Sequence, residues 1–296
     1  MSNYLGFDIG GTNIKYGVLN EQGKILKFSK FETVDDKEEI YKQFKKVLDE
    51  NAELNIQGVA VSVPGFVDSV GYLRTAGAIF SLYRTNLKDE LEKELGVKVL
   101  VENDANCATL AENWIGIGKL NKNFILLTVG TGIGGGVVIN NSLVRGKNFR
   151  CGEFGYMAID PVIKGDTKSA SLSKVAAMPS LYNYYFVQTT KRLEDGKRIF
   201  QLYQAGDKSA KFAVRRFVHE LGIAVFNLMM CFDPEKIILG GAVSENQLFI
   251  DLVRTEVKEL LEGHSELEDD TPVQIDAAKF LNQSGVIGAV SLFINK

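Results

Sequence analysis

"FDIGGTNIKYGVLN" at residues 7–20 and "LTVGTGIGGGVVIN" at residues 127–140 carry one pattern twice: an apolar run, a glycine break and a second apolar run. Laid over each other without a gap, they match Gly10 with Gly130, Val18 with Val138, Leu19 with Ile139 and Asn20 with Asn140. Asp8 falls opposite Thr128, so the carboxylate belongs to the first copy alone. Apolar alternation around Gly-Gly, followed by the turn residues "EQGK", reads as a β-hairpin with its tip at Gly10–Gly11. Two such copies predict two related domains that present glycine hairpins to a shared cleft; coincidence between two Gly-rich hairpins is the competing reading.

The 296 residues are enough for two domains, each with its own core. With 45% apolar and 24% charged residues the composition is globular, and a net charge of -3 provides no electrostatic footprint for nucleic acid or an anionic membrane. The start, "MSNYLGFDIGG", has no basic region and carries Asp8 inside its first apolar run, so no signal peptide is expected. The apolar stretches are too short or too Gly-rich for spanning helices. Cys107, Cys151 and Cys231 lie far apart and make no disulfide framework, which fits a cytoplasmic protein.

Further along, "DDKEEIYKQFKKVLDENA" has helical spacing with an acidic first turn. "IQGVAVSVPGFVD" reads as a buried strand entering a Pro-Gly turn, "LKDELEKELG" as a helix closed by glycine, and "VKVLVEN" as a second buried strand. A helix follows from about Asn103–Asp104. "NFILLTVGTGIGGGVVINNSLVRG" reads strand, glycine turn, strand, polar turn, strand. Two later helices, "SAKFAVRRFVHELGIAVFNLMMCF" and "NQLFIDLVRTEVKELLEG", flank the buried strand "KIILGG", and "SGVIGAVSLFINK" is a helix that begins at small residues.

Gly10, Gly11 and Thr12 can turn backbone N–H groups and a hydroxyl toward one point, an anion-binding nest, and Asp8 just upstream is placed to hold Mg²⁺ directly or through water. An ordinary hairpin turn with a solvated Asp is the alternative. Gly130-Thr131-Gly132-Ile133-Gly134-Gly135 satisfies G-x-G-x-x-G, but a dinucleotide fingerprint opens a helix, whereas "GVVIN" continues as a strand; a phosphate-cradling hairpin suits it better. In "VENDAN", Asp104 sits where a strand hands over to a helix and could take a proton from an attacking hydroxyl, with Asn103 holding the acceptor in line; a plain helix cap is the other reading. His219 and His264 are far from any cysteine pair, so the sequence carries no metal-ligand spacing and little support for a histidine base.

The order "DIGGTNIK", "VPGFVD", "ENDANCA", "LTVGTGIGGG", "GEFGYM", "ILGGAVS" resembles the ROK family of sugar kinases over nearly the whole chain. That resemblance implies an α/β, actin-like (ribonuclease H-like) duplicated ATPase fold with two domains around a cleft: residues 1–117 plus about 283–296, and 118–282. It implies ATP and Mg²⁺ as cofactors, with Asp8, Gly10, Gly11, Thr12, Asn13, Lys15, Gly130, Thr131, Gly132 and Gly134 facing the phosphates and metal, and Gly240 and Gly241 approaching the adenosine. Gly65, Asn103, Asp104 and Glu153 would surround a small-molecule sugar, Asp104 being the base on the 6-hydroxyl. A homodimer is implied as well, with neither nucleic acid nor membrane as partner; a regulator of the same family would carry a helix-turn-helix ahead of the first strand, which here begins near Tyr4.

Two departures bear on the sugar. The family's histidine after the glutamate is Tyr156 here and the cysteine cluster is missing, so no zinc site is expected; the family's further sugar-binding glutamate is replaced by Ser173. "RGxxFRxGEFGYM" without cysteines looks like the β-glucoside kinase branch, whose substrates include cellobiose. Tyr156 could stack on a sugar ring, and the loss of charge leaves room for an aglycone. N-acetylmannosamine or glucose as the acceptor, and a non-catalytic sugar-sensing or actin-like protein, are the alternatives.

Overall fold

The computed structural model describes residues 2–267 and 273–294; the last two residues of the segment "SGVIGAVSLFINK" lie outside them. The chain divides into two units, Met1–Leu120 with Leu143–Cys151 and Asn282–Lys296, and Asn121–Ser142 with Gly152–Leu281.

The first unit runs β1 (Asn3–Ile9), β2 (Asn13–Asn20), β3 (Ile25–Glu32), α1 (Lys37–Asp49), β4 (Ile56–Val63), β5 (Tyr72–Leu73), β6 (Thr85–Asn86), α2 (Leu87–Leu95), β7 (Val99–Asn103) and α3 (Asp104–Ile115). Its main sheet has the order β3-β2-β1-β4-β7, with β1 antiparallel to β2 and parallel to β4, and β4 parallel to β7. The second unit runs β8 (Phe124–Val129), β9 (Ile133–Ile139), β10 (Ser142–Leu143), α4 (Leu172–Ala176), α5 (Met178–Thr189), α6 (Gly196–Gln204), α7 (Lys208–Phe232), β11 (Lys236–Gly240), α8 (Gln247–Glu262) and β12 (Gln274–Ala277). Its sheet order is β10-β9-β8-β11-β12, with β8 antiparallel to β9 and parallel to β11, and β11 parallel to β12. The chain then returns to the first unit as α9 (Ser284–Ile294).

The two sheets repeat one strand order, so the glycine hairpins are the β1–β2 and β8–β9 connections of a duplicated unit. The gapless match needs one correction. Ile9 pairs with Ile14, whereas Val129 pairs with Ile133, so the second hairpin loop is one residue shorter. Beyond the loop, Leu5 faces Val18 and Ile125 faces Val137; Val18 therefore corresponds to Val137, and Leu19 to Val138 rather than Ile139. A slip of one residue reverses the face of every side chain in a strand, so the register matters.

The helices follow their sequence signals. Asp36 caps α1 by accepting from the Glu39 N–H at 3.0 Å, and Ile40, Phe44, Val47 and Leu48 form its buried stripe. Phe44 stacks on Phe7 of β1, with centroids 3.7 Å apart and planes at 4°. Leu87, Leu91 and Leu95 give α2 its buried stripe, and Gly96 ends it with a left-handed residue (φ 68°). On the other face of the first sheet, α9 lies almost on the backbone: a Cβ at Gly6 would come within 2.8 Å of the Val286 carbonyl oxygen, and one at Gly288 within 1.7 Å of the Cys107 carbonyl oxygen on α3. Tyr4 and Phe293 stack at 4.7 Å. Two strands carry too weak a pattern to name from sequence. In β3 the side chains are mostly exposed, and β12 has four residues with Ile275 alone buried. Among the described residues no helix is long and apolar enough to cross a membrane.

Candidate functional site

Asp8 is the penultimate residue of β1, and two neighbouring strands hold its carboxylate. Ser62, its register partner on β4, donates its hydroxyl to Oδ1 at 2.8 Å, and Lys15, its partner on β2, places Nζ 3.3 Å from Oδ2. The α9 N-terminus closes from a third side: a Cβ at Gly285 would stand 2.3 Å from Asp8 Oδ1. The side chain keeps 15% exposure.

Asn103 ends β7 and Asp104 begins α3. Asn103 caps α3: its Oδ1 accepts from the Asn106 N–H at 3.0 Å, while its Nδ2 donates to the Gly65 carbonyl at 2.9 Å and to Asp104 Oδ1 at 3.0 Å. Gly65 has φ 99°, and a Cβ there would lie 2.2 Å from the Thr75 carbonyl oxygen, so the turn admits no side chain. Asp104 Oδ1 also accepts from the Ala105 N–H at 2.8 Å. Asp104 is open to solvent at its surface yet crowded by protein, and loss of hydration raises its pKa to about 6; the Asp8 charge pushes the same way, against the Ala105 and Asn103 hydrogen bonds. That is a pKa suited to a general base near neutral pH.

In each hairpin the first glycine N–H is used internally, Gly10 to the Asn13 carbonyl at 3.1 Å and Gly130 to the Gly132 carbonyl at 3.0 Å. A Cβ at Gly10 would crowd the Asn13 carbonyl oxygen at 2.9 Å, whereas Gly11, Gly130 and Gly132 have no positive φ and room to spare. A Cβ would find its nearest neighbour at 3.7 Å on Gly11, 4.0 Å on Gly130 and 3.5 Å on Gly132. The fold does not require glycine at these positions; a bare backbone there leaves space for something that approaches it. Gly240 has similar room, whereas Gly241 (φ 88°) is packed against the Val129 carbonyl oxygen.

The "GEFGYM" loop lies directly on β9. Cβ atoms at Gly152 and Gly155 would come within 2.5 Å of the Gly135 oxygen and 2.2 Å of the Ile133 oxygen. Ser173 locks this contact by accepting from the Ile133 N–H at 2.9 Å while its hydroxyl touches Gly155. In this chain, then, Ser173 joins the hairpin to the loop. Glu153 is half-buried at the start of the short turn Phe154–Tyr156, and Tyr156 is 71% exposed.

Within the first unit the structure thus gathers Asp8, Lys15, Gly65, Asn103 and Asp104. Within the second it gathers the Gly130–Gly134 hairpin, Glu153, Tyr156, Ser173, Gly240 and Gly241. Sequence reasoning missed Ser62, Glu102, Arg145 and Gly285. Ser62 and Glu102 interrupt buried apolar runs, which signals that a polar partner exists; the partners are too distant in sequence to be named from it.

A family model described as the ROK family matches residues 4–296, and the chain belongs to that family. A β-glucoside kinase of Listeria monocytogenes is 38% identical over 294 residues, covering 98% of this chain and 97% of that protein. Among solved structures, a ROK family protein from Streptococcus pneumoniae TIGR4 in complex with sucrose has a TM-score of 0.90 at 28% identity, covering 99% of this chain and 98% of that one. A ROK family glucokinase from Streptomyces griseus in complex with glucose and AMPPNP has a TM-score of 0.82 at 30% identity, covering 98% of each chain. The duplicated sheets are those of the actin-like ATPase fold.

Proposed function

We propose that this chain is an ATP-dependent sugar kinase that phosphorylates the 6-hydroxyl of the non-reducing glucose of β-glucosides such as cellobiose. The observation that carries the chemistry is Asp104, fixed at the β7–α3 turn by Asn103 and Ala105 with its pKa raised to about 6. Asp104 takes the proton of the 6-hydroxyl as its oxygen attacks the γ-phosphorus of ATP, and ADP leaves. Backbone N–H groups at the bare hairpin tips bind phosphate oxygens. Asp8 keeps acceptor capacity on both oxygens beside Ser62 and Lys15 and would hold a Mg²⁺ ion, which would supply positive charge against the nucleotide phosphates.

The choice of acceptor is supported by full-length similarity to proteins named β-glucoside kinase and by two substitutions, Tyr156 for the family's histidine and Ser173 for its glutamate. Ser173 is engaged with the Ile133 N–H, and an exposed Tyr156 offers an apolar face suited to a second ring. The test is an ADP-release assay with Mg-ATP over glucose, N-acetylmannosamine, cellobiose, gentiobiose and an aryl β-glucoside. The highest kcat/KM is expected for a β-glucoside; a clear preference for glucose or N-acetylmannosamine would overturn the acceptor assignment, and no sugar-dependent ADP release would overturn the kinase.

A further inference from the structure

Residues 143–151 rejoin the first unit and contain "RGKNFR" (145–150), whose two arginines the reaction above leaves without a task. Arg145 donates from Nε to Glu102 Oε2 at 2.8 Å, with the Glu102 side chain 7% exposed and that of Arg145 38%. The other oxygen, Oε1, accepts from the Asn103 backbone N–H at 2.9 Å and from Asn106 Nδ2 at 3.0 Å. One carboxylate thus grips the residue before Asp104 and a residue in the first turn after it. Asn103 passes the hold on to Asp104 and Gly65. The segment itself is closed by the Cys151 N–H to the Arg145 carbonyl at 3.2 Å, and its far end is pinned by the Arg150 guanidinium, 5.6 Å from the ring centre of Phe66, next to Gly65.

A neutral side chain could accept the same two N–H bonds. An ionised Glu102 makes them shorter and stiffer, but a buried carboxylate is costly without a cation, and Arg145 is that cation. We propose that Arg145 is a positioning residue for the acceptor base, holding the β7–α3 turn that carries Asp104 through the Glu102 carboxylate. This rests on the reading of Asp104 as the base.

The test is steady-state kinetics of Arg145→Ala, the double variant Arg145→Met/Glu102→Gln and Asp104→Asn, with Mg-ATP and the best acceptor of the panel. In Arg145→Ala, kcat is expected to fall roughly 10- to 100-fold with the KM for ATP unchanged, as for a misplaced reacting group. Added ethylguanidinium should restore part of kcat, since the missing side chain leaves a partly open site; a general loosening of the fold gives no such rescue. The double variant has no buried charge and is expected to keep the wild-type melting temperature while staying slow, so it carries the test if Arg145→Ala does not fold. Wild-type kcat in Arg145→Ala, or full recovery in the double variant, beside an inactive Asp104→Asn, overturns this role alone. A near-normal rate in Asp104→Asn overturns the base assignment and this role with it.

Discussion

Ser62 donates its hydroxyl to the carboxylate of Asp8 across the parallel β1–β4 pair at 2.8 Å, and Ser62 itself is fully buried. Ser62→Ala removes a hydrogen bond to a charged group, worth about 2 kcal/mol. The expected result is a lower denaturation midpoint together with a higher KM for Mg-ATP, while the KM for the sugar stays put. An unchanged nucleotide KM would separate Asp8 from the nucleotide.

The raised pKa of Asp104 has two consequences of opposite value to the protein. As a base it works only when ionised, so kcat/KM for the acceptor should fall roughly tenfold per pH unit below about 6. For stability, the folded chain holds this proton to higher pH than the unfolded chain, whose carboxyl titrates near 3.8. Asp104 therefore opposes folding increasingly between these values and fully above the higher one. Asp104→Asn should abolish turnover yet raise the melting temperature at pH 8, with the gain fading as pH drops toward 4. A gain independent of pH would count against the shift.

Replacing glycine by alanine inside a helix ordinarily stabilises by about 1 kcal/mol. In α9 the sign should reverse. Gly285→Ala drives a methyl against Asp8 Oδ1, and Gly288→Ala drives one into the Cys107 carbonyl. Both variants should melt lower than wild type, and Gly285→Ala should also lose kcat; a stabilised Gly285→Ala would mean that α9 does not bear on Asp8.

The second unit separates two sorts of glycine. Gly132→Ala meets its nearest atom at 3.5 Å, so its melting temperature should hold or rise while the KM for ATP increases. Gly155→Ala meets the Ile133 oxygen at 2.2 Å and should unfold at lower temperature. Equal thermal loss in the two variants would remove the distinction.

Tyr156 is exposed enough that Tyr156→Ala should leave the melting temperature unchanged. If its ring supports the aglycone side of a β-glucoside, the KM for cellobiose rises several-fold while that for glucose does not. Parallel changes for both sugars would refute that role.

The fold was legible where local chemistry spoke for itself. Asp36 before an amphipathic stripe, Gly96 after one, and two apolar–glycine–apolar hairpins are signals contained in short windows, and the duplicated sheets follow from the last. The one-residue difference between the hairpin loops was not legible, because Val137, Val138 and Ile139 are apolar in either register. The site divides in the same way. Asp8, Asn103 and Asp104 announce themselves at strand ends, while the roles of Ser62, Glu102, Arg145 and Gly285 depend on contacts between residues far apart in the chain. "DIGG" and "GTGIGGG" look alike as strings, and the space around each glycine is what separates those needed for packing from those left bare.

Helix α9 also orders events during synthesis. The backbone of Gly6, the Asp8 carboxylate and the Cys107 carbonyl wait for Val286, Gly285 and Gly288, which the ribosome adds only after the whole second unit. A nascent first sheet therefore emerges with the part of one face that α3 does not cover still open, and must stay soluble, alone or in the care of a chaperone, until α9 arrives. The Asp8 carboxylate acquires its final surroundings only then, so a strand made long before α9 is among the last to have its neighbourhood completed.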